Sequence, residues 1–591
     1  MTRSFSRRRF LALSARGIGA AVLSYGLMGC NINNNDDEDT VAASFAHGIA
    51  SGDPLPDAVI LWTRVTPVTA GNVKVSWEVA TDAAFTQLIT TGETVTDASR
   101  DYTVKVDAVG LEAGTRYYYR FAVGDVQSVT GTTKTLPAGD VSSVKLAVMS
   151  CSNYPAGYFN VYELAAQRDD LDALLHLGDY IYEYGRGEYA SEHAAELGRE
   201  VLPASELLTL SDYRTRYAQY RSDASLQKIH AKVPFITIWD DHEVANDAWR
   251  DGADNHNDGE GDFALRKEAG MQAYFEWLPI RPFREGDNQD IYRSFRFGNL
   301  LDLHMLDTRL LARDKQLSYD DYLDANGNFD SVGLTAALAD NSRTMLGQTQ
   351  LLWLQQQLQQ STATWQVLGQ QVLMGRMLLP AAVATQKLTI NEYGFLGQLA
   401  QLAARAQAGD PTLTQAELDH LAANQAQLTP EAVALLQLPN IPYNLDAWDG
   451  YAYEREVLLQ TIKQLGKNTV VLAGDTHNAW ANNLTDMQGN AVAVEFATSS
   501  VSSPGMEEYL SLDPSQIDVY EQAVVGMVTD LQYTNLLQRG YMLLELTPIR
   551  ASATWHFVDN ILSTSFSELP TRERQGYVEA GTAQVVMLPQ A

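Results

Sequence analysis

The chain has 591 residues, a length that suggests two to four domains and leaves room for substantial hydrophobic cores. Its 42 basic and 73 acidic residues give a formal net charge of -31, which disfavours DNA, RNA and anionic membranes as partners. An anionic substrate would therefore need local positive charge, which metal ions supply most simply.

The first 30 residues are predicted to be an export signal. Residues 6–11 (SRRRFL) match the pattern that the twin-arginine translocase recognises, and a short apolar stretch follows them. Arg16 interrupts that stretch, which makes it a poor transmembrane helix. The alternative to a signal is a basic tail without fixed structure.

A lipid anchor is a further expectation for the exported protein. Cys30 ends the sequence LMGC, which resembles a lipoprotein cleavage box, and residues 31–44 form an acidic tether. We therefore expect a periplasmic or extracellular protein, either free or anchored to a membrane through a lipid on Cys30. A monomer is expected.

Residues 45–137 have the pattern of an all-β domain. Apolar and polar side chains alternate over residues 73–79 and again over residues 102–106. Tyr117 follows a turn and resembles the tyrosine corner of fibronectin type III-like sandwiches. Residues 137–139 (PAG) are a credible linker to the next domain.

Residues 138–591 have the pattern of a layered α/β domain. Short apolar runs alternate with helical stretches and later follow one another without long helices, so two mixed sheets are expected. A Gln- and Ala-rich stretch at about 380–440 is predicted to be a helical insertion that forms a wall or lid. The apolar runs are 144–148, 171–177, 235–239, 300–306, 365–372, 470–473, 492–496, 541–546 and 553–558.

Four loops that follow predicted strands carry potential metal ligands. They are residues 150–153 (SCSN), 178–182 (GDYIY), 240–246 (DDHEVAN) and 474–478 (GDTHN). Because sites in layered α/β proteins form at the carboxyl ends of strands, we expect these loops to converge. Taken singly, a Gly-Asp pair is usually a turn, a histidine is usually a core or surface residue, and Cys151 could be an inert core thiol.

The ordered set of motifs resembles the PhoD-like alkaline phosphatases, a family of metallophosphoesterases. The resemblance covers about residues 45–560. It implies an N-terminal fibronectin type III-like β-sandwich followed by an α/β metallophosphoesterase-like layered sandwich, in which helices flank two mixed sheets. The motifs are GIASGDP at 48–54, LWTR at 61–64, SCSN at 150–153, GDYIYEYG at 178–185, WDDHEVAN at 239–246, LDTR at 306–309, WDGY at 448–451 and SSPG at 502–505.

The same resemblance implies a ferric ion and two calcium ions. By motif, the iron would be held by Cys151, Asp179, Tyr182 and His477. The calcium ions would be reached by Asp179, Asn246 and Asp475, with Asp179 as the bridge. The sequence GDTH at 474–477 stands where ordinary metallophosphoesterases have Gly-His-x-His, and the exchange of a nitrogen for an oxygen donor favours calcium.

Beyond the metals, phosphate binding calls for an arginine. Arg266 is the first candidate clamp and Arg309 the second, and for both a structural ion pair is an equal alternative. His242 could protonate the leaving group or orient a ligand. Polar neighbours expected to support the ligands or contact the substrate are Asp241, Asn153 and Asn478.

The expected function is an exported alkaline phosphatase that serves phosphate scavenging. A metal-activated hydroxide or oxide would attack phosphorus directly, so no phosphorylated side chain is expected. A phosphodiesterase or phospholipase D-like activity of the same fold is the alternative within the class. The alternative of another class is a non-catalytic exported binding protein.

Overall fold

The computed structural model describes residues 43–282, 291–324 and 329–590. The predicted signal peptide, Cys30 and nearly all of the predicted tether therefore lie outside the described residues. Within the described ranges, no helix combines the length and the apolar character that crossing a bilayer requires.

The N-terminal segment contributes strands to two large sheets. β5, β6, β8, β9 and β10 form a five-stranded antiparallel sheet, and β1 and β4 form a two-stranded sheet. β2, β3 and β7 extend a larger sheet of residues 138–591 through a parallel pairing of Gly52 with Phe235. The predicted β-rich segment therefore divides among three sheets. Its strands are β1 Ala43–Ser44, β2 Ile49–Gly52, β3 Ala58–Arg64, β4 Thr66–Pro67, β5 Val73–Ala80, β6 Leu88–Thr96, β7 Thr103–Val109, β8 Arg116–Val123, β9 Val126–Gln127 and β10 Gly131–Lys134.

Tyr117 makes the contact expected of a tyrosine corner. Its side chain is buried on β8, and its hydroxyl accepts a hydrogen bond from the backbone N–H of Glu112 at 2.8 Å. The bond ties the turn before β8 to the strand itself, which explains why a tyrosine occupies this position.

The rest of the chain forms most of two mixed sheets. The ten-stranded sheet has the order β26-β25-β24-β23-β11-β12-β13-β2-β3-β7, and the seven-stranded sheet has the order β14-β15-β16-β19-β21-β20-β22. All nine apolar runs of the sequence form strands. The strands are β11 Val144–Met149, β12 Ala173–His176, β13 Phe235–Thr237, β14 Arg293–Phe297, β15 Leu301–Met305, β16 Trp365–Gly369, β17 Leu378–Pro380, β18 Asn440–Pro442, β19 Thr469–Ala473, β20 Ala479–Thr485, β21 Ala491–Ala497, β22 Leu531–Asn535, β23 Gly540–Leu546, β24 Arg550–Phe557, β25 Arg574–Glu579 and β26 Val586–Met587.

Parallel pairing dominates the centre of each sheet. β11, β12 and β13 are mutually parallel in the larger sheet, and β15, β16, β19 and β21 are parallel in the smaller one. Strands buried on both faces need continuous apolar runs, which is the pattern that the sequence has. On β19, Val470 and Leu472 face one core, whereas Val471 and Ala473 face another.

Helices cover the two sheets and form the insertion. Leu354 and Leu458, on two different helices, pack in the same core as Val471 of the smaller sheet. In the insertion, Thr389 and Thr414 cap their helices through capping boxes. The helices are Asn160–Ala166, Ala194–Leu197, Leu210–Tyr220, Ala224–Lys232, Phe263–Trp277, Ser331–Leu338, Gly347–Gln360, Ala381–Ala384, Ile390–Gln407, Gln415–Asn424, Pro430–Leu436, Ala452–Leu465, Met506–Tyr509 and Ile517–Met527.

Candidate metal centre and active site

The four predicted loops meet at the carboxyl ends of parallel strands from both sheets. Cys151, Asp179 and Asp240 follow β11, β12 and β13 of the larger sheet, and Asp475 follows β19 of the smaller sheet. The loops are joined by their backbones, because the N–H of Cys151 donates to the carbonyl of Gly178 at 3.1 Å. The convergence expected from the strand-end positions is therefore present.

Four of the predicted ligands have left-handed backbone conformations. The φ angles are 62° for Cys151, 54° for Asp179, 60° for Asp475 and 65° for His477. Residues other than glycine rarely adopt this region, which costs about 1–2 kcal/mol for each residue. The chain therefore turns sharply at a predicted ligand after β11, β12 and β19, and such stored strain is typical of functional sites.

Gly178 explains how closely two of these loops can approach. A Cβ atom at this position would lie 2.3 Å from Cβ of Asp240, and the φ of Gly178 is +107°. Any other residue would push apart the loops after β12 and β13, so the position requires glycine.

Cys151, Asp179 and His477 form the first of three linked groups in which possible metal-binding atoms all lie within 4.8 Å of one another; a fourth such group among the described residues, His556, Glu568 and Glu573, shares no residue with them. The hydroxyl of Tyr182 joins this group, because it donates to Oδ2 of Asp179 at 3.0 Å and lies 3.2 Å from Nε2 of His477. A single phenolic hydrogen cannot satisfy both acceptors. A convergence of acceptor atoms with too few hydrogens fits a cation.

The orientation of His477 is set by its other ring nitrogen. Nδ1 lies within hydrogen-bond distance of the carbonyl oxygen of Pro504. Because a carbonyl can only accept, Nδ1 carries the hydrogen and the lone pair of Nε2 points toward Tyr182 and Asp179. Burial lowers the pKa of His477 to about 3, so the ring is neutral and able to bind a metal.

Two further groups extend the cluster through shared carboxylates. The second is Asp179, Asp241 and His242, and the third is Asp240, Asp241 and Asp475. Asp179 links the first group to the second, and Asp241 links the second to the third. Among the described residues, Oδ1 of Asp179 and Oδ2 of Asp240 are buried without a hydrogen-bond partner, which is costly for an acceptor in a polar cluster.

The ionisation of the cluster reflects crowded negative charge. Burial and the Asp179 carboxylate raise the pKa of the Cys151 thiol well above its usual range. Burial raises the pKa of Asp179 strongly, and it raises that of Asp475 to about 7 although Arg309 opposes the shift. Bound cations would lower the pKa values of Cys151, Asp179 and Asp475, because they supply positive charge beside these acidic groups.

Arg309 lies inside the cluster and is fully buried. Its guanidinium pairs with Asp240, with Asp446 at 2.6 Å and with Asp475 at 2.7 Å. The structure thus shows the ion pairs that were the alternative to a phosphate contact. Burial opposes ionisation of Asp241, but Arg309 and His242 outweigh it and lower the pKa of Asp241 to about 2.

Arg266 is also buried in ion pairs, in a neighbouring network. Nη2 donates to Glu206 at 2.6 Å, Nη1 donates to the carbonyl of Asn255 at 2.8 Å, and Nε donates to Tyr213 at 3.3 Å. All three guanidinium nitrogens have partners, so the structure does not place Arg266 as a free clamp beside the predicted ligands.

His242 is held by a carboxylate that the sequence analysis did not assign. Its Nδ1 lies 2.6 Å from Oε2 of Glu183, which is fully buried. Burial lowers the pKa of His242, but Glu183 and the acidic cluster outweigh it and hold this pKa well above its usual value. Glu183 also accepts from the backbone N–H of Asn246 at 2.7 Å, which anchors the loop of that predicted ligand.

Besides Glu183, two further residues, Glu243 and Asp446, were missed from the sequence, although Glu183 and Glu243 lie inside the family motifs GDYIYEYG and WDDHEVAN. Glu183 and Glu243 are carboxylates on strand-end loops, a signal that could have been used. Glu243 accepts from the backbone N–H groups of Asp179 and Asp240. Asp446 lies outside the motifs, and nothing in the local sequence marks it as a partner of Arg309.

Asn153 and Asn478 lie buried in the same loops. Among the described residues, neither polar atom of the Asn153 side chain has a partner. The Asn478 oxygen accepts from the backbone N–H of Met506 at 2.8 Å, while its nitrogen has no partner within the described ranges. Both amides therefore keep hydrogen-bonding capacity.

Comparisons with known proteins agree with this geometry. The sequence model of the PhoD-like phosphatases matches residues 146–555, and that of their N-terminal domain matches residues 30–137. Alkaline phosphatase D of Bacillus subtilis (strain 168) is 34% identical over 521 residues, which span 85% of this chain and 76% of that protein. A solved structure of PhoD superposes with a TM-score of 0.72 at 31% identity, covering 93% of this chain and 92% of the other. The chain therefore belongs to the PhoD-like phosphatase family and is a hydrolase of phosphoric esters.

Proposed function

We propose that the chain is an exported, metal-dependent alkaline phosphatase that hydrolyses phosphate esters with water as the nucleophile. The observation that carries the proposal is the chain of three metal-compatible groups, joined through Asp179 and Asp241 at the ends of parallel strands. Linked groups of this kind could hold several cations side by side, which suits hydrolysis of a charged ester.

The donor atoms support a ferric ion and two calcium ions. Cys151, Asp179, Tyr182 and His477 combine thiolate, carboxylate, phenolate and imidazole donors, which suit a trivalent transition metal. Asp179, Asn246 and Asp475 offer oxygen atoms, which suit calcium. When bound, the ions would lower the pKa of a water molecule and neutralise charge on the phosphoryl oxygens.

The surrounding residues hold the donors and move a proton. Ser503 donates to the Tyr182 oxygen at 2.7 Å, a hydrogen bond that would stabilise the phenolate of a metal-bound Tyr182. Glu183 holds Nδ1 of His242, and the pKa of His242 is raised, so His242 would deliver a proton from its opposite nitrogen to the leaving oxygen rather than bind a cation itself. Arg309 pairs with Asp240 and Asp475 and opposes the burial that raises the pKa values of both carboxyl groups.

The cellular setting is part of the proposal. The twin-arginine signal would export the folded protein with its metals to the periplasm or beyond, with Cys30 as the lipidated residue. A monomer that releases phosphate there would serve phosphate scavenging.

The deciding experiment compares an aryl phosphate monoester with the diester of the same phenol at alkaline pH, with calcium and with a chelator. Calcium-dependent hydrolysis of the monoester, together with iron and calcium in elemental analysis, is the expected result. Preference for the diester would instead support the phosphodiesterase alternative. No turnover of either ester by the metal-loaded protein would support the binding-protein alternative.

A further inference from the structure

The segment Ser503–Tyr509 crosses the candidate site and is tied to it at several points. The Ser503 hydroxyl contacts Tyr182, the Pro504 carbonyl contacts His477, and the backbone N–H of Met506 donates to Asn478 at 2.8 Å. The segment ends in the short helix Met506–Tyr509, which carries Tyr509 to the protein surface.

Tyr509 is half exposed but its position is well defined. Its side chain is 55% exposed, and its hydroxyl lies 3.4 Å from the hydroxyl of Tyr189. Tyr189 in turn lies 3.5 Å from Nδ1 of His477 and stacks on Tyr182 with ring centroids 5.9 Å apart. Tyr509 is thus two contacts away from a proposed metal ligand.

The helix that carries Tyr509 is anchored by an ion pair. Glu507 pairs with Arg539 at 2.5 Å, and both side chains are largely buried. The exposed ring therefore needs little ordering before a ligand stacks on it, which favours binding.

Aromatic rings connect Tyr509 to His242 of the acidic cluster, because Tyr189 packs against Tyr184 with centroids 5.4 Å apart and the ring centroids of Tyr184 and His242 also lie 5.4 Å apart. Burial raises the pKa of the Tyr509 hydroxyl, although the hydrogen bond with Tyr189 and the charge of His242 oppose the shift. Burial, followed by the charges of Glu183 and Asp241, raises the pKa of Tyr184. Aromatic rings thus border the metal-compatible groups on this side.

Negative charge borders the same rings. Glu192 and Glu508 are exposed. Partial burial is the largest cause that raises the pKa of Glu508, and the Glu192 carboxylate is the second. A leaving group with its own negative charge would be repelled here.

We propose that Tyr509 forms a leaving-group subsite that stacks on an uncharged aromatic leaving group of the phosphate ester. The inference rests on the proposed function, because it assumes that the phosphoryl group lies on the cluster of Asp179 and Asp241. It adds the chemical class of the ester: aromatic rather than aliphatic, and without a further acidic group. Stacking of an aromatic pair favours binding by about three- to tenfold beyond simple burial.

The test is calorimetric binding of non-hydrolysable phosphonates to the metal-loaded full-length protein, which requires no turnover. Benzylphosphonate should bind about three- to tenfold more tightly than propylphosphonate, and 4-carboxybenzylphosphonate should bind more weakly than benzylphosphonate. Tyr509→Ala should abolish the benzyl preference, and Tyr509→Phe should keep it, because the ring rather than the hydroxyl is required. Tyr118→Ala is the matched control, since Tyr118 lies on β8 in a sheet that supplies no site residue.

Each outcome bears on the inference separately from the proposed function. Equal binding of the benzyl and propyl compounds, or an unchanged benzyl preference in Tyr509→Ala, would overturn the subsite. Tight binding of the carboxylated compound would overturn the restriction to uncharged groups. A benzyl preference without hydrolysis of any ester would support the subsite and remove the proposed catalytic function.

Discussion

The carboxylate of Glu243 accepts a hydrogen bond from the backbone N–H of Asp179 at 3.1 Å, across two neighbouring strand-end loops. The same carboxylate accepts from the backbone N–H of Tyr180 at 2.6 Å and of Asp240 at 2.7 Å. One buried side chain therefore locks the loop after β12 to the loop after β13. Both loops supply residues of the candidate metal centre.

Replacement of Glu243 tests the importance of this lock. Glu243→Gln should reduce activity by about 10- to 100-fold and weaken metal retention, because the amide group presents a donor where three backbone donors require acceptors. Steady-state kinetics and elemental analysis of the purified variant are the measurements. Glu545→Gln, at a partly exposed position on β23, is the control. Full metal content and full activity in Glu243→Gln would contradict the positioning role.

Cys151 should be required for metal binding rather than for packing. Cys151→Ala should lose the iron and most of the activity, because the thiolate is one of the anionic donors that suit a trivalent ion. The sequence contains one other cysteine, so Cys30→Ala is the control and should leave the metal content unchanged. If Cys151→Ala retains iron and turnover, Cys151 is a packing residue.

Arg309 should act through the stability of the acidic cluster. Arg309→Met should lower the free energy of unfolding by about 3–5 kcal/mol, because it leaves the buried carboxylates of Asp240 and Asp475 without their paired arginine. Asp446 would keep its ion pair with Arg313. Denaturant unfolding measures the effect, with Arg296→Met as the control because the Arg296 side chain is 55% exposed. A raised KM with unchanged stability would instead identify Arg309 as a phosphate clamp.

Buried His176 should make the protein sensitive to acid. Burial lowers its pKa to about 3, whereas an unfolded histidine has a pKa near 6.5. The unfolded state therefore binds the extra proton between these values, so stability is lost as the pH falls below about 6.5. The contribution reaches about 1.4 kcal/mol for each pH unit.

The measurement is the free energy of unfolding as a function of pH between about pH 6 and pH 4, a range that lies between the folded and unfolded pKa values of His176. His176→Gln should show a shallower dependence than the unaltered protein, because the difference in proton uptake is gone. His193→Gln is the control, since the His193 side chain is 52% exposed. Identical slopes for the His176 variant and the unaltered protein would contradict the prediction.

Much of the architecture could be predicted from local sequence. Strands such as β11 and β19 are buried on both faces, so they need continuous apolar runs that are visible without a structure. Residues that follow parallel strands lie at the same edge of a sheet, so the sequence alone predicts that Cys151, Asp179 and His477 lie close together. Helices at about 380–440 could likewise be predicted, because the Gln- and Ala-rich sequence there has helical spacing.

Only the tertiary structure decided which charges meet. Arg309 and Asp446 are 137 residues apart, and their contact depends on loops from different parts of the chain. The pairing of Arg266 with Glu206, 60 residues away, and of Arg309 with Asp475, 166 residues away, also depends on distant segments. The assignment of β2, β3 and β7 to the larger sheet likewise rests on long-range pairing. Local sequence determines which residues leave a strand end, whereas burial and long-range electrostatics determine what each of them contacts.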